Sequence, residues 1–444
     1  MPDPDRCRPI LERLTYDASA DRQRLIRAFD TGGVRVLDSG LLARFEQVRQ
    51  GLDAMSPGPP VLAISIGGST TKAALVSLED GRLRLHHLVA RPNPPEPVPF
   101  SDFLDGLLLD DATFADYLRQ TDQPVISLSV AVLVLDGVPF HPSKIATLTG
   151  LVARELPRDA DTHHLETNLQ SWLRDRDLPA ATIRYQSDGV LAHLGALGLD
   201  PEPAESSMLM VCGTGMATAV DARFVLCGMA LTLTEEDPEI YPLDATEQGQ
   251  YQYLIAGKGV AGIMQRIVRA HAQDPGAKLA GIDLTGHFAG PDDSSKVAFL
   301  AAAGEGYPLH GCIEPIRAEL DDAQWGELVE IAQQVLRRGV DTLANCILST
   351  HLCAARDASR RRRVYLEGSI ATDPVVSKML AESLDRCARA ACRAGECAEP
   401  VEFELLIPDV EARFGAGADA TVAGAALLGL GARDDVPAAK QAQQ

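Results

Sequence analysis

The chain has no run of 18 uncharged apolar residues, no C-x-x-C pair and no surplus of basic residues, and each absence removes a class of function. Without the apolar run, no spanning helix is expected. Lys and Arg number 41 against 62 Asp and Glu, a formal net charge of −21. A protein that wraps nucleic acid needs a basic face to neutralise phosphates, and anionic membrane surfaces repel a chain this acidic. Neither nucleic acid nor membrane is therefore expected as a partner. The amino-terminal residues carry no apolar core of signal-peptide type, so a cytoplasmic location is expected. The cysteines number nine, an odd count that suits reduced thiols. Cys387, Cys392 and Cys397 lie five apart with no paired His, which reads as helix-packing thiols and not as a metal cluster. A Walker A loop is also missing. The stretch from Gly213 to Thr218 lacks the third glycine of a dinucleotide fingerprint. Gly257 to Gly262 fits its letters, but no convincing strand precedes it.

What is present fits a folded body of two domains, or one large bilobal one: 444 residues, 46% of them hydrophobic. Residues 1–56 space their apolar side chains at three- and four-residue steps and predict helix. A Pro- and Gly-rich break at 55–60 reads as a linker. A strand is then predicted at 61–66, a turn at Gly67-Gly68-Ser69-Thr70, a strand at 72–77, an Asp80-Gly81 hairpin and a third strand to Val89. The proline-rich stretch 91–100 reads as an extended loop. A helix at 111–119, a strand at 125–132, a helix at 165–174 and a strand at 181–186 lead to Ser187-Asp188-Gly189 and helix-like spacing from Val190 to Leu197. The plan then restarts at 207–212, with Gly213-Thr214-Gly215 as the turn and a hairpin to Leu226. An internal duplication explains the repeat. Helices at 254–272 and 325–355 follow, then strand 364–366 ending in Glu367-Gly368-Ser369, helix 374–393, strand 402–407 and helix 420–430. The tail from Ala432 is polar and expected to fray.

Two glycine turns between strands suit a nucleotide triphosphate. Without a Cβ in the way, backbone N–H groups reach phosphate oxygens, and Ser or Thr hydroxyls add donors. Each turn alone is also an ordinary hairpin tip; their recurrence at the same place in two units is what favours phosphate. Other features have bland readings. Arg360 to Arg363 reads as a solvated turn, His163-His164 as exposed, and Trp172 and Trp325 as core packing.

In this order the motifs resemble the hexokinase family of the actin-like ATPase-domain superfamily, from about residue 61 to 430. Ile64 to Lys72 is similar to the family's first phosphate motif, L-D-L-G-G-T-N-F-R. Ser187-Asp188-Gly189-Val190 falls where the family has N-D-T-V, and Cys212 to Gly215 resembles its G-T-G. Val364 to Ser369 resembles the adenosine motif V-x-x-D-G-S, Asp419 to Ala426 the closing D-G-S-x-x-G-A-A helix, and Tyr251 to Gly257 the family's F-E-K-M-I-S-G. The resemblance implies an α/β, two-lobed actin-like (ribonuclease H-like) fold with mixed sheets and an inter-lobe cleft. Its parts would be a helical extension over 1–60, a small lobe over 61–205 with the first phosphate turn and the catalytic Asp, and a large lobe over 206–444.

It also implies ATP and Mg²⁺ as cofactors and a small sugar or polyol as substrate. Asp188 would be the base that accepts the hydroxyl proton, although an Asp there also suits a helix N-cap. Lys72 would contact the transferring phosphate where the family has Arg, or is simply an exposed strand residue. Gly67, Gly68, Ser69, Thr70, Gly213, Thr214 and Gly215 would hold phosphates. Gly368, Ser369 and Asp419 would shape the adenosine pocket, with an N-cap role for Asp419 nearly as good. Ser129, Ser187, Asp188, Glu235 and Gln252 would face the acceptor. No residue is assigned as a metal ligand, because Ser65 stands where the family has the Asp that helps hold the Mg²⁺ water shell. The sugar positions depart too: Ser187 and Ala217 replace Asn, Ser129-Val130-Ala131 replaces S-F-P, and Thr234-Glu235-Glu236 is the nearest remnant of N-x-E-W-G. The expected function is ATP-dependent phosphorylation of a sugar hydroxyl. A kinase for another hydroxylated metabolite and a catalytically weak nucleotide- or sugar-sensing protein are the alternatives.

Overall fold

The computed structural model describes residues 22–23, 25–27, 30, 35–55, 57–67, 70–94, 98–130, 134–135, 138–139, 151–152, 165–200, 206–212, 216–221, 223–226, 257–290, 293–354, 361–368 and 371–431. In chain order the main elements of the first half are helix α1 (Leu42–Gln50), strands β1 (Gly58–Ile66), β2 (Thr70–Glu79) and β3 (Arg82–Pro92), helix α2 (Ala112–Gln120), strand β4 (Val125–Val130), helix α3 (Leu165–Arg174), strand β5 (Thr182–Ser187) and helix α4 (Asp188–Leu199). The second half holds strands β6 (Ser207–Cys212) and β7 (Met216–Val220), helices α5 (Gly257–Gln273), α6 (Ser294–Gly304) and α7 (Asp322–Ala354), strand β8 (Arg361–Glu367), helix α8 (Pro374–Arg393), strand β9 (Glu402–Leu406) and helix α9 (Ala420–Gly431).

The chain divides into two compact units. One comprises Leu37–Glu205, Asp221–Phe224 and Pro408–Gln444; the other comprises Met1–Val36, Ser206–Val220 and Val225–Ile407. The division differs from the one read in the sequence, where everything beyond residue 206 was assigned to one lobe. Residues from Pro408 group instead with the body built around β1, because α9 packs on that sheet.

The sheet of the first unit runs β5-β4-β1-β2-β3; β1 pairs antiparallel with β2 and parallel with β4. The sheet of the second unit repeats this order. There β6 pairs antiparallel with β7 and parallel with β8, β9 lies beyond β8, and the short strands Arg223–Leu226 and Arg35–Asp38 continue the sheet past β7. The duplicated strand–turn–strand plan expected from the sequence is thus a duplicated sheet topology.

In the first unit, successive side chains of β1 leave opposite faces of the sheet. Leu62, Ile64 and Ile66 join Leu104, Phe114, Leu118, Leu169 and Trp172 in one buried cluster under α2 and α3. Trp172 is core as expected, and its ring N–H donates to Asp105 Oδ1 at 2.9 Å. The other face carries α9. The space left by Gly429 abuts Ser127, Val125 and Val61, so this helix lies on the sheet with almost no side-chain thickness between them. Helix α4 comes closer still to α9. A Cβ on Gly195 would stand 1.9 Å from the Ala420 carbonyl oxygen, and one on Gly424 would stand 1.7 Å from that of Leu191. Ala-Thr-Val-Ala-Gly-Ala-Ala is a helix of small residues where the backbone of α4 approaches it directly.

Three expectations change. Residues 35–38 form a strand where helix was expected through residue 56. The proline-rich stretch read as an extended loop contains the end of β3 and a two-residue strand, Val98–Pro99. The arginines read as a solvated turn open β8, and strand alternation turns Arg362 fully inward while Arg361 and Arg363 pair with Glu404. The frayed tail, His163-His164 and most of the amino-terminal segment lie outside the described residues. Among the described residues no helix is long and apolar enough to cross a membrane.

The glycine contact yields a stability test. Gly424→Ala is expected to cost about 3 kcal/mol in urea denaturation, because backbone must move to admit the methyl group. Gly326→Ala, in helix α7 with open space at its Cβ, is expected to stabilise by up to about 1 kcal/mol. Equal effects at the two positions would contradict the packing.

Candidate functional site

Parallel pairing brings the carboxyl ends of β1, β4 and β5 to one edge of the first unit's sheet. Register then fixes which residues share a row there. Lys72 of β2 lies opposite Ser65 of β1, Ser65 opposite Ser129 of β4, and Ser129 opposite Gln186 of β5. Cross-strand partners share a face, and this row lies on the face that carries α9. Ser129 is fully buried, and its hydroxyl has no hydrogen-bond partner among the described residues.

Helix α9 begins at the same edge. Asp419 is its N-cap, accepting from the Val422 N–H at 2.8 Å, and its second oxygen pairs with the Lys72 ammonium at 2.8 Å. At the other end of α9, Gly429 lies over Val61 and Val125, the opposite ends of their strands. The helix therefore runs back down the sheet from its carboxyl edge. The N-cap reading of Asp419 and the strand reading of Lys72 both hold, and the two residues hold each other.

Asp188 follows β5 directly and is the first residue of α4, with Ser187 at the N-cap. The Ser187 side chain caps nothing. Its hydroxyl and its backbone N–H both donate to Gln186 Oε1, at 3.2 and 2.8 Å, and Gln186 Nε2 donates to the Ser39 carbonyl at 2.9 Å. The Asp188 side chain itself takes up first-turn N–H groups of α4, as the helix-start role weighed against catalysis requires. One of its oxygens accepts from the Gly189 N–H at 2.7 Å. Burial pushes the carboxyl up to about 6, and the Gly189 N–H offsets this only in part.

The glycine turn between β1 and β2 closes with the Gly67 N–H on the Thr70 carbonyl at 3.1 Å. Asn93, beyond β3, clasps it from outside. Its amide N–H donates to the Gly67 carbonyl at 2.9 Å, and its amide oxygen accepts from the Thr71 hydroxyl at 2.7 Å. Neither Asn93 nor Gln186 carries a sequence signal. Asn93 sits among prolines, and its role depends on β3 being long enough to bring it back beside the turn.

Described by itself, the second unit has a matching edge. Val211 is level with Glu367 on the paired carboxyl ends of β6 and β8. Gly368 has φ 91°, a conformation that favours glycine. Its carbonyl accepts from both the N–H and the hydroxyl of Thr372, and Asp373 then caps α8. Gly68, Ser69, Gly213, Thr214, Gly215, Glu235, Gln252 and Ser369 lie outside the described residues.

No protein-family model and no curated protein matches this chain. Solved structures do. A hexokinase matches over 96% of this chain and 98% of its own, at 14% identity and a TM-score of 0.59. The Schistosoma mansoni hexokinase, solved with glucose, matches over 92% of this chain and 100% of its own, at 15% identity and a TM-score of 0.57. The chain has the two-lobed, actin-like α/β fold of the hexokinases. Within that fold, the first unit brings Gly67, Thr70, Lys72, Ser129, Ser187, Asp188 and Asp419 to one sheet edge. Among the described residues no group of three His, Cys, Asp or Glu could hold a metal ion, and Ser65, nearly buried, offers a neutral hydroxyl in the row.

The raised carboxyl of Asp188 predicts a pH dependence of stability. Below about pH 4 the group is protonated in both folded and unfolded chains. Between about 4 and 6 the unfolded chain ionises first, so the folded state loses up to about 3 kcal/mol relative to its value at low pH. Asp188→Asn is expected to match the wild type near pH 4 and to exceed its stability by up to that amount at pH 8, read by urea denaturation. A wild-type advantage that grows with pH would overturn the assignment.

Proposed function

We propose that the chain is an ATP-dependent kinase that phosphorylates a hydroxyl of a small sugar or polyol, with Asp188 as the base. The observation that carries this reading is Asp188 itself. Its carboxylate begins a helix at the carboxyl edge of the sheet and loses its proton near pH 6. Such a group is ionised at neutral pH yet basic enough to take a proton from an attacking alcohol. In the proposed step the acceptor oxygen forms a bond to the terminal phosphorus of ATP and passes its proton to Asp188. The bond from that phosphorus to the bridging oxygen breaks, and ADP departs.

The phosphates would be met by the Gly67–Thr70 turn and by Lys72, which Asp419 holds in place. Mg²⁺ would come with the nucleotide's own phosphates, and no step above depends on it. A cytoplasmic place in carbohydrate phosphorylation, such as glycolysis, fits this reading. The rebuilt sugar positions, with Ser187 tied to Gln186, support an acceptor other than the one the family's Asn would hold.

A second reading, a nucleotide- or sugar-sensing protein of little activity, is favoured by the neutral Ser65 in the row. The two separate in one assay of ADP formation with Mg²⁺-ATP across hexoses, hexosamines and polyols. Turnover on one acceptor is expected, falling as pH drops through about 6 and reduced by at least about 10²-fold in Asp188→Ala. Nucleotide binding without turnover on any acceptor would leave the sensor. Asn93→Ala is expected to loosen the phosphate turn, raising the KM for ATP severalfold with a smaller change in the KM for the acceptor. An effect on the acceptor alone would contradict that role.

A further inference from the structure

Of the three cysteines read as helix-packing thiols, Cys387 and Cys392 lie in α8, while Cys397 lies beyond its end and still packs against the core. Cys387 is a core residue of α8, but the helix ends at Arg393 and the chain reverses. The Gly395 N–H bonds the Cys392 carbonyl at 3.0 Å, and the Glu396 N–H bonds the Ala391 carbonyl at 3.0 Å. Gly395 has φ 77°, as this helix-ending turn requires. The reversal carries the chain back past its own last helical turn. Cys392 Sγ meets the Ala398 carbonyl at 3.7 Å, so the reversal brings Cys397, the preceding residue, back beside Cys392. Both are partly exposed free thiols. Between them, Glu396 grips Arg22, a fully buried guanidinium of the amino-terminal segment, and also accepts from Gln23.

We propose that Cys392 and Cys397 form a reversible dithiol–disulfide site, oxidised by a low-molecular-weight disulfide and able to lock the turn that carries Glu396. Burial, the neighbouring thiol and Glu396 hold the Cys397 thiol above its ordinary range; in the proposed order Cys392 reacts first. Its thiolate attacks one sulfur of oxidised glutathione, the glutathione S–S bond breaks, and one glutathione thiolate leaves and takes up a proton. Cys397, deprotonated to water, then attacks Cys392 Sγ in the mixed disulfide. The second glutathione leaves, so two protein thiols are oxidised and one small disulfide is reduced. The ring that closes contains Glu396 and therefore the anchor of Arg22.

The test treats the folded full-length chain with oxidised glutathione, alkylates the remaining thiols and maps the peptides. In the wild type the expected product is a Cys392–Cys397 link with no glutathione retained on either residue. In Cys397→Ser, one glutathione is expected to persist on Cys392, the signature of a lost resolving thiol. Glutathione persisting on wild-type Cys392, Cys392 linked to another cysteine, or a Cys392–Cys397 link that forms only in urea would each overturn the proposal.

Discussion

The approach of α4 to α9 across Gly195 and Gly424 is the constraint on which the first unit's site depends. Each glycine faces a backbone carbonyl of the other helix, while Gly429 sets α9 against the Ser127, Val125 and Val61 side chains of the sheet. Helices ordinarily pack 8–10 Å apart over side chains. Here two helix backbones meet directly. Such a contact has no slack, because peptide groups cannot rotate aside as a Leu or Met side chain can. It fixes where α9 starts, hence where Asp419 stands and where Lys72 is held. The same contact clamps the helix whose first residue is Asp188.

The rows of the sheet do the rest of the positioning. A strand cannot slip by one residue without turning every side chain to the opposite face. Leu62, Ile64 and Ile66 are locked into the apolar cluster on one side. Ser65 must therefore face α9, and the pairing carries that choice to Lys72, Ser129 and Gln186. The polar row is thus a consequence of the hydrophobic one. Ser129 is buried at some cost, since its hydroxyl lacks a partner among the described residues.

The sequence made legible those features that rest on local pattern. Strand alternation, the glycine turns and the restart at Ser207 are periodic signals, and the sheet topology of the two units repeats as they imply. The places of Asp188, just after a strand, and of Lys72, on the strand beyond the first glycine turn, were legible too. Features that depend on where distant segments return were not. Asn93 reads as loop among prolines, and only the length of β3 brings it to Gly67. Arg362 reads as part of a charged run until the alternation of β8 turns it inward. The grouping of residues 408–444 with the first unit is likewise invisible until α9 is seen to lack the side chains that would keep it off the sheet. Gly195 and Gly424, each facing backbone, carry no local signal beyond smallness.

What sets the basicity of Asp188 follows from the same geometry. An Asp at position 65 would stand two strands away from β5, since Ser129 intervenes in the row. Neighbouring strands lie about 4.8 Å apart, so such a charge would act from roughly 10 Å, near the distance at which salt screens exposed charges. The change to serine therefore removes little repulsion from Asp188, and desolvation remains the larger influence on its carboxyl. The substitution bears instead on whatever cation approaches the row, where a carboxylate would attract and a hydroxyl does not. Lys72 cannot replace that attraction, being a cation itself and already paired with Asp419. The acidity of Asp188 and the charge of the row are thus separable: burial at the start of α4 sets one, and the identity of residue 65 sets the other. The row can gain or lose a charge at residue 65 while the Asp188 carboxyl keeps its raised pKa of about 6.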